Sequence, residues 1–191
     1  MTSTCLLSTT YFGPVQWYQK LCRYDRVLIE HHESYQKQTF RNRCLIATTQ
    51  GVQALTVPTN LPPMGDTSFK AVSGVEASPR GGRSVGAVLL SDHGNWRHLH
   101  WQALQSAYGD SPFFEYYEDD LRPFFTDHRW ERLIDFNDDI LRTMCRLLDI
   151  HPNIEITEKY SNNGDFIDFR DVIRPKHPLP DPDFQPRRYW Q

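Results

Sequence analysis

The chain has 191 residues and a formal net charge of -3 at pH 7. This length suits one domain with a substantial core, and the acidic balance argues against a nucleic-acid-binding protein, which normally has a basic excess. No stretch of the sequence approaches the roughly 20 apolar residues of a membrane span, and an aromatic content of 13% is typical of a folded protein.

The four cysteines lie far apart without a C-x-x-C spacing. We interpret them as reduced thiols of a cytoplasmic protein. The N-terminal segment has only a short apolar run and no charged region, so no signal peptide is predicted. His31 and His32 lack the i, i+4 spacing of a helical zinc site, and the sequence predicts neither a metal nor another cofactor.

The first part of the chain predicts strands around one helix. Short apolar runs indicate the strands, Gly13-Pro14 starts the helix, and Gly51 suits a turn that needs positive φ. In the helix, Val15, Tyr18, Gln19 and Cys22 are predicted to face the core. The predicted elements are a strand at 5–10, a helix from Pro14 to about residue 24, a strand at 26–30, and a hairpin of strands at 39–48 and 52–58.

The second part of the chain is mainly helical. Residues 59–83 are rich in Pro and Gly and predict a flexible loop, whereas 84–92 predict a strand. Asn95 and Gly109 are predicted to cap the ends of a helix. The predicted elements are helices at 96–108, 111–125 and 129–148, a strand at 153–157, and an irregular C-terminal segment at 176–191.

These elements predict a single α/β domain that spans residues 1–191. Its mixed sheet would come from the N-terminal half, and the N-terminal helix and the central helices would pack on it.

A cation-rich segment covers residues 37–43. If it is extended, Lys37, Arg41 and Arg43 share one face with Thr39. Arginine forks bind phosphates and carboxylates, and a lysine adds a point charge. We expect these three cations, with Asn42, to bind an anionic substrate. The alternative is that the cations protect an exposed strand edge from aggregation.

Two polar residues interrupt the apolar faces of the predicted helices. His100 lies on the stripe that contains Trp96 and Leu104, and Asn137 lies between Phe136 and Ile140. Since a buried polar group needs a partner, we expect both side chains to point at one polar spot, either each other or a ligand. Alternatively, His100 and Asn137 are ordinary core residues whose side chains are hydrogen-bonded within the protein.

Two likenesses to known enzymes depend on short segments. Cys44, His100 and Asn137 follow the chain order of papain-like sites, but Cys44 shares a predicted strand face with Phe40 and Ile46, where inert thiols lie. The opening TYFGPVQ resembles that of nucleotidyltransferases. Gln16 and Gln19 stand where those enzymes have phosphate-activating histidines.

The chain as a whole resembles the WbqC-like family. The resemblance extends over most of residues 5–175 and rests on the order and spacing of several segments. These segments are YFGPVQWYQKL (11–21), YQKQTFRNRCLIA (35–47), G-x-x-x-L-T-V-P (51–58), NWRHLHWQALQSAYGDSPFFEYY (95–117) and LIDFND (133–138).

The resemblance implies a cytoplasmic role in bacterial surface-polysaccharide biosynthesis of the O-antigen type. Family members commonly continue beyond a Tyr-x-Gln step such as the one at Tyr189, so a truncated C-terminus is expected, and the loop 59–83 is longer than the family usually has. No catalytic residues are carried over from the family.

Our leading hypothesis is a transferase that acts on a nucleotide-linked amino sugar. His100 would be the general base, with Asn137 beside it, and the segment 37–43 would hold the phosphates. The first alternative is a carbohydrate-binding or adaptor module in which Trp101, Tyr116 and Tyr117 stack on sugar rings. The second is a divergent nucleotidyltransferase-like nucleotide-binding protein.

Overall fold

The computed structural model describes residues 3–61 and 83–187. Within these ranges, short single-turn helices at Val85–Ala87 and His93–Asn95 accompany the longer elements. In chain order the longer elements are β1 (Thr4–Ser8), α1 (Val15–Arg23), β2 (Arg26–Glu30), β3 (Arg43–Thr48), β4 (Gly51–Thr56), β5 (Thr59–Asn60), β6 (Leu89–Leu90), α2 (Trp96–Tyr108), α3 (Phe114–Leu121), α4 (Pro123–Thr126), α5 (Leu133–Leu147), β7 (Ile154–Ile156) and β8 (Ile167–Asp168).

A four-stranded sheet in the order β7-β2-β1-β8 lies at the centre of the fold. All three neighbouring pairs are parallel, and α1 provides the crossover that parallel β1 and β2 require. The predicted α/β class is confirmed. The sheet is composed differently from the prediction, because two of its strands come from the C-terminal part and the β3–β4 hairpin forms a separate antiparallel sheet.

The predicted hairpin and the three helices predicted after it are present, and the bounds of α2 alone among those helices match the prediction. Strand β3 begins at Arg43 and not at residue 39, and Gly51 has the predicted positive φ, at 113°. Helix α2 has the predicted bounds, although Asn95 makes no side-chain cap bond. The helix predicted at 111–125 divides into α3 and α4, because Pro123 has no N–H to continue the hydrogen-bond ladder.

The strand predicted at 84–92 is largely wrong. Val85–Ala87 form a helical turn, which Ser84 caps by accepting a hydrogen bond from the N–H of Gly86, and only Leu89–Leu90 pair as a strand. The apolar residues at 84–92 favoured a strand, and they do not indicate that Ser84 caps a helical turn. The predicted flexible loop lies mostly at 62–82, outside the described residues, but its first residues pair as β5 with β6.

The inner face predicted for α1 is only partly correct, because Tyr18 packs against the core but Val15 and Cys22 are exposed. The buried residues are Trp17, Lys20 and Leu21, whereas Val15 is 76% exposed. A lysine belongs to the buried face because its ammonium lies 2.7 Å from the carboxylate of Asp181, a contact that helical periodicity cannot reveal.

Helix α5 joins two apolar clusters. Its residues Leu141 and Cys145 pack with the sheet and α1. Phe136 and Ile140 belong to an aromatic cluster with α2, α4 and the hairpin. The same helix therefore fixes the position of α2 and the hairpin relative to the parallel sheet.

The C-terminal segment lies along α1 without forming a helix or strand at 176–187. Among the helices of the described ranges, none has the length and apolar character needed to cross a membrane.

Candidate functional site

Polar side chains collect where the four parallel strands end. Ser8 ends β1, Glu30 ends β2, Thr157 follows β7 and Asp168 ends β8. In α/β proteins, ligands bind outside the carboxyl ends of parallel strands. This carboxyl edge is therefore the candidate functional site.

Glu30 is fully buried at this edge. Its Oε1 accepts hydrogen bonds from the hydroxyl of Thr157 and the N–H of His32, both at 2.8 Å, and its Oε2 accepts from the N–H of Ser161 at 2.9 Å. These donors offset the cost of burying the carboxylate. They also tie the loops after β2 and β7 together.

Arg41 and Glu33 form a buried bidentate ion pair. The Nε of Arg41 donates to Oε1 of Glu33 at 2.8 Å, and its Nη2 donates to Oε2 of the same carboxylate. Nη2 also donates to the hydroxyl of Ser8 at 2.9 Å. The pair therefore fixes the end of β1 relative to the loop after β2.

Arg170 is a second guanidinium at this edge. Its Nη2 lies 2.6 Å from Asp168, and its Nη1 lies 3.6 Å from Glu30. Burial alone would lower the pKa of Arg170, but its hydrogen bonds with Asp168 and the charge of that carboxylate raise the pKa above its ordinary value. Arg170 stays charged. With Arg41 it borders a hollow of only about 10 Å³, which has room for roughly one water molecule.

His31 and Asp138 form a third polar pair. The Nε2 of His31 lies 3.2 Å from the Oδ1 of Asp138, which projects from α5. The two groups are not aligned as a hydrogen bond, and neither atom has another hydrogen-bond partner among the described residues. Buried polar atoms with unused bonding capacity are uncommon. The Oδ1 of Asn137 is another such atom near this edge, but an imidazole and a carboxylate can exchange protons whereas an amide cannot, so His31 and Asp138 are the groups best placed to act on a ligand.

Asp138 also lies at one end of an open groove between α5 and β7, with a volume of about 620 Å³. Its apolar lining includes Leu141, Ile154 and Ile156, and its charged lining includes Arg142, Arg146 and Asp149. A mainly apolar groove of several hundred Å³ with a few polar groups has the size and character of a small-molecule site.

The predicted convergence of Lys37, Arg41 and Arg43 is wrong. Arg41 is neutralised by Glu33, Lys37 is exposed, and the Nε of Arg43 donates to the Thr56 hydroxyl. The period of two fails because the segment before Arg43 is a series of turns. Lys37 therefore borders a different surface hollow from Arg41.

The side chain of Asn42 binds the backbone at the end of the hairpin. Its Nδ2 donates to the carbonyl of Val57 at 2.9 Å, while its Oδ1 is buried without a hydrogen-bond partner among the described residues.

His100 and Asn137 are both buried, but they do not bind each other. His100 Nδ1 lies 2.9 Å from the hydroxyl of Tyr11. Asn137 Nδ2 donates to the hydroxyl of Thr9 at 3.2 Å and to the carbonyl of Arg41 at 2.9 Å. The two helices therefore hold the loop after β1 at two points.

The surroundings of His100 are unfavourable for a general base. Its ring packs edge-on against Trp96, and burial lowers its pKa to about 4. The Cys44 thiol stays protonated at neutral pH, since burial raises its pKa to about 12. These values argue against a papain-like thiolate–imidazolium pair.

Gln16 and Gln19 contact the C-terminal segment. The Nε2 of Gln16 donates to the carboxylate of Asp181, and that of Gln19 donates to the carbonyl of Asp183, both at 2.8 Å. The positions of the phosphate-activating histidines of nucleotidyltransferases are thus used for packing in this chain.

Our sequence analysis did not select Glu30, His31, Glu33, Asp138 or Arg170 as site residues. One signal could have indicated part of this set, because the polar HHE triplet directly follows the apolar strand RVLIE. No local pattern could have paired His31 with Asp138, which lies 107 positions further along the chain. No group of three or more His, Cys, Asp or Glu residues in the described ranges is arranged to hold a metal ion.

Comparison with known proteins gives two matches. The model of the WbqC-like protein family matches residues 9–170. The chain is also similar to the uncharacterized protein Rv1507c of Mycobacterium tuberculosis, with 25% identity over 154 residues. The alignment covers 81% of this chain and 59% of that relative, so the chain spans about three-fifths of the relative's length. No solved structure gives a significant match.

Proposed function

Because this chain belongs to the WbqC-like protein family, we propose that it is a transferase of bacterial surface-polysaccharide biosynthesis, of the O-antigen type, that modifies a nucleotide-linked amino sugar. The reaction would take place in the cytoplasm. The observation that carries the proposal is the pair of the buried His31 and the half-buried Asp138 at the carboxyl edge, beside the groove between α5 and β7. This is where α/β enzymes bind their ligands.

In the proposed mechanism, His31 is the general base. The Asp138 carboxylate lies 3.2 Å from Nε2, and its charge would stabilise the protonated ring, so Nδ1 would be the nitrogen that accepts a proton. The amine or hydroxyl of the acceptor sugar gives its proton to His31 and forms the new bond to the transferred group. The leaving group of the donor departs with the electron pair of the broken bond.

His100 and Asn137 have a positioning role in this proposal. They hold the loop after β1 through Tyr11 and Thr9, and Asn137 also holds the carbonyl of Arg41. Arg41 in turn fixes Ser8 and Glu33 at the carboxyl edge. Their substitution would therefore change the geometry of the site without removing a group that exchanges a proton.

The test begins with a thermal-shift screen of nucleotide-linked amino sugars, since a ligand that binds the native state raises its apparent stability. Turnover of the best ligand is then measured in His31→Gln and Asp138→Asn. Loss of a general base lowers turnover by about 100-fold or more, and we expect ligand affinity to change little.

His32→Gln is the matched control. His32 is adjacent, but its Nε2 contacts the carbonyl of Thr157 at 2.9 Å and not a carboxylate. We expect this variant to keep most of its turnover. Full activity in His31→Gln, or a wild-type protein whose stability no nucleotide-linked sugar raises, would contradict the proposal.

A carbohydrate-binding module is the second candidate, supported by exposed rings around α3. Phe113, Tyr116 and Tyr117 are 64%, 69% and 41% exposed, and such rings can stack on sugars. Trp101 does not belong to this surface, because it is buried against Phe125. Saturation-transfer NMR with O-antigen oligosaccharides would detect binding, and Tyr116→Ala should abolish the signal if the rings form the site.

A further inference from the structure

A basic groove lies at the surface between residues 36–39 and 174–177. Its volume is about 350 Å³, which is within the range of small-ligand sites. The groove combines part of the segment before the hairpin with part of the C-terminal segment. These two segments are 138 positions apart in sequence at their cross-links.

Two side-chain hydrogen bonds hold the basic groove together. The Nη2 of Arg174 donates to the Oε1 of Gln36 at 3.1 Å, and the Nζ of Lys176 donates to the Oε1 of Gln38 at 3.0 Å. Each glutamine accepts through its oxygen, so the Nε2 of its amide is an additional donor. The cations are thus held in place before a ligand arrives, which lowers the entropy cost of binding.

The charge of the basic groove is strongly one-sided. Lys37, Arg174 and Lys176 contribute three formal positive charges, and none of the eight lining residues is acidic. One carboxylate outside the lining contacts these cations, since Asp171 lies 2.9 Å from Arg174. The excess is about two positive charges, which is complementary to a doubly charged anion.

We infer that the basic groove binds the diphosphate of a phosphorylated ligand. Lys37 and Lys176 would neutralise its charge, and Arg174 would bind phosphate oxygens with the geometry that a guanidinium allows. Phe40 and Ile173, the residues next to the groove in sequence, border the hollow that contains Arg41 and Arg170. A diphosphate in the groove would therefore lie beside the carboxyl edge, and its assignment to a nucleotide-linked sugar depends on the proposed function.

The experiment is a calorimetric titration of the full chain with inorganic pyrophosphate at low ionic strength. Lys37→Ala and Lys176→Ala should each weaken binding by about tenfold, the effect of losing one charged hydrogen-bond partner. The matched control is Lys159→Ala, which removes the same charge from an exposed residue outside the groove. We expect its affinity to stay within about twofold of the wild type.

Three outcomes decide the inference. Wild-type binding that falls in both groove variants and not in Lys159→Ala supports the groove. No pyrophosphate binding by the wild type, or an equal loss in Lys159→Ala, overturns it. The pyrophosphate titration does not depend on turnover, so the groove can be verified even if the transferase proposal fails, and the transferase proposal can survive if the groove is overturned.

Discussion

The Arg41 guanidinium and the Glu33 carboxylate are two buried charges that satisfy each other, with Nε and Nη2 each donating to a different carboxylate oxygen. This pairing changes how the function of the cation-rich segment is interpreted. A side chain that the sequence presents as an anion-binding group is already occupied by an internal anion. Its position beside Ser8 makes the pair a support of the carboxyl edge.

The first prediction concerns this ion pair. Arg41→Met leaves the Glu33 carboxylate buried without its partner, and we expect a loss of about 3–5 kcal/mol of unfolding free energy. Arg41→Met combined with Glu33→Leu should restore much of that loss, since no unpaired charge remains buried. Urea denaturation of both single variants and the double variant measures the coupling. Additive effects would show that the two side chains do not depend on each other.

The second prediction concerns the pH dependence that His100 causes. Burial lowers its pKa from 6.5 to about 4, so the unfolded chain binds a proton at a higher pH than the native protein. The contribution of the neutral His100 to the free energy of unfolding is therefore fully present above about pH 6.5. It decreases as the pH falls toward 4, by at most about 3 kcal/mol. His100→Gln should reduce the stability difference between pH 7.5 and pH 5, measured by urea denaturation at each pH. An unchanged difference would exclude His100 as its source.

The third prediction concerns Lys20, whose side chain is fully buried against Asp181. Asp181→Asn removes the charge that compensates the ammonium, so we expect a loss of about 3–5 kcal/mol. Burial raises the pKa of Asp181, but the hydrogen bond from Gln16 and the adjacent positive charge of Lys20 outweigh burial and lower the pKa. The stabilisation is therefore present above the ordinary carboxylate pKa of about 4 and decreases as the pH falls below it.

The control for this pair is Asp183→Asn. Asp183 contacts Arg23 in an ion pair whose side chains are 34% and 50% exposed, and such pairs contribute less than about 1 kcal/mol. In thermal denaturation, Asp181→Asn should lower the melting temperature clearly more than Asp183→Asn does. Equal effects would mean that burial of Lys20 does not distinguish the two contacts.

The fourth prediction concerns thiol reactivity. Burial raises the pKa values of Cys5, Cys44 and Cys145 to about 12, 12 and 11, whereas Cys22 is exposed. Because the thiolate is the reactive form, a disulfide reagent should label one cysteine quickly in the native protein and all four after denaturation. In Cys22→Ala the fast phase should disappear. Fast labelling of Cys44 would contradict the prediction and would make Cys44 a candidate nucleophile again.

The α/β class, the bounds of α2, the turn at Gly51 and the burial of His100 and Asn137 could be predicted from the sequence alone, because these depend on local periodicity and backbone preference. The family membership also followed from ordered local motifs. Local patterns cannot give the partner of a buried polar group, because that partner comes from a distant part of the chain.

Only the tertiary structure decided what the polar side chains do. It placed Arg41 on Glu33, His31 beside Asp138 and Lys20 against Asp181. It also brought Lys37 to the C-terminal cations of the basic groove instead of to Arg41 and Arg43. The physical reason is that burying a charge is unfavourable without a compensating group, and packing of remote segments determines which group is within reach.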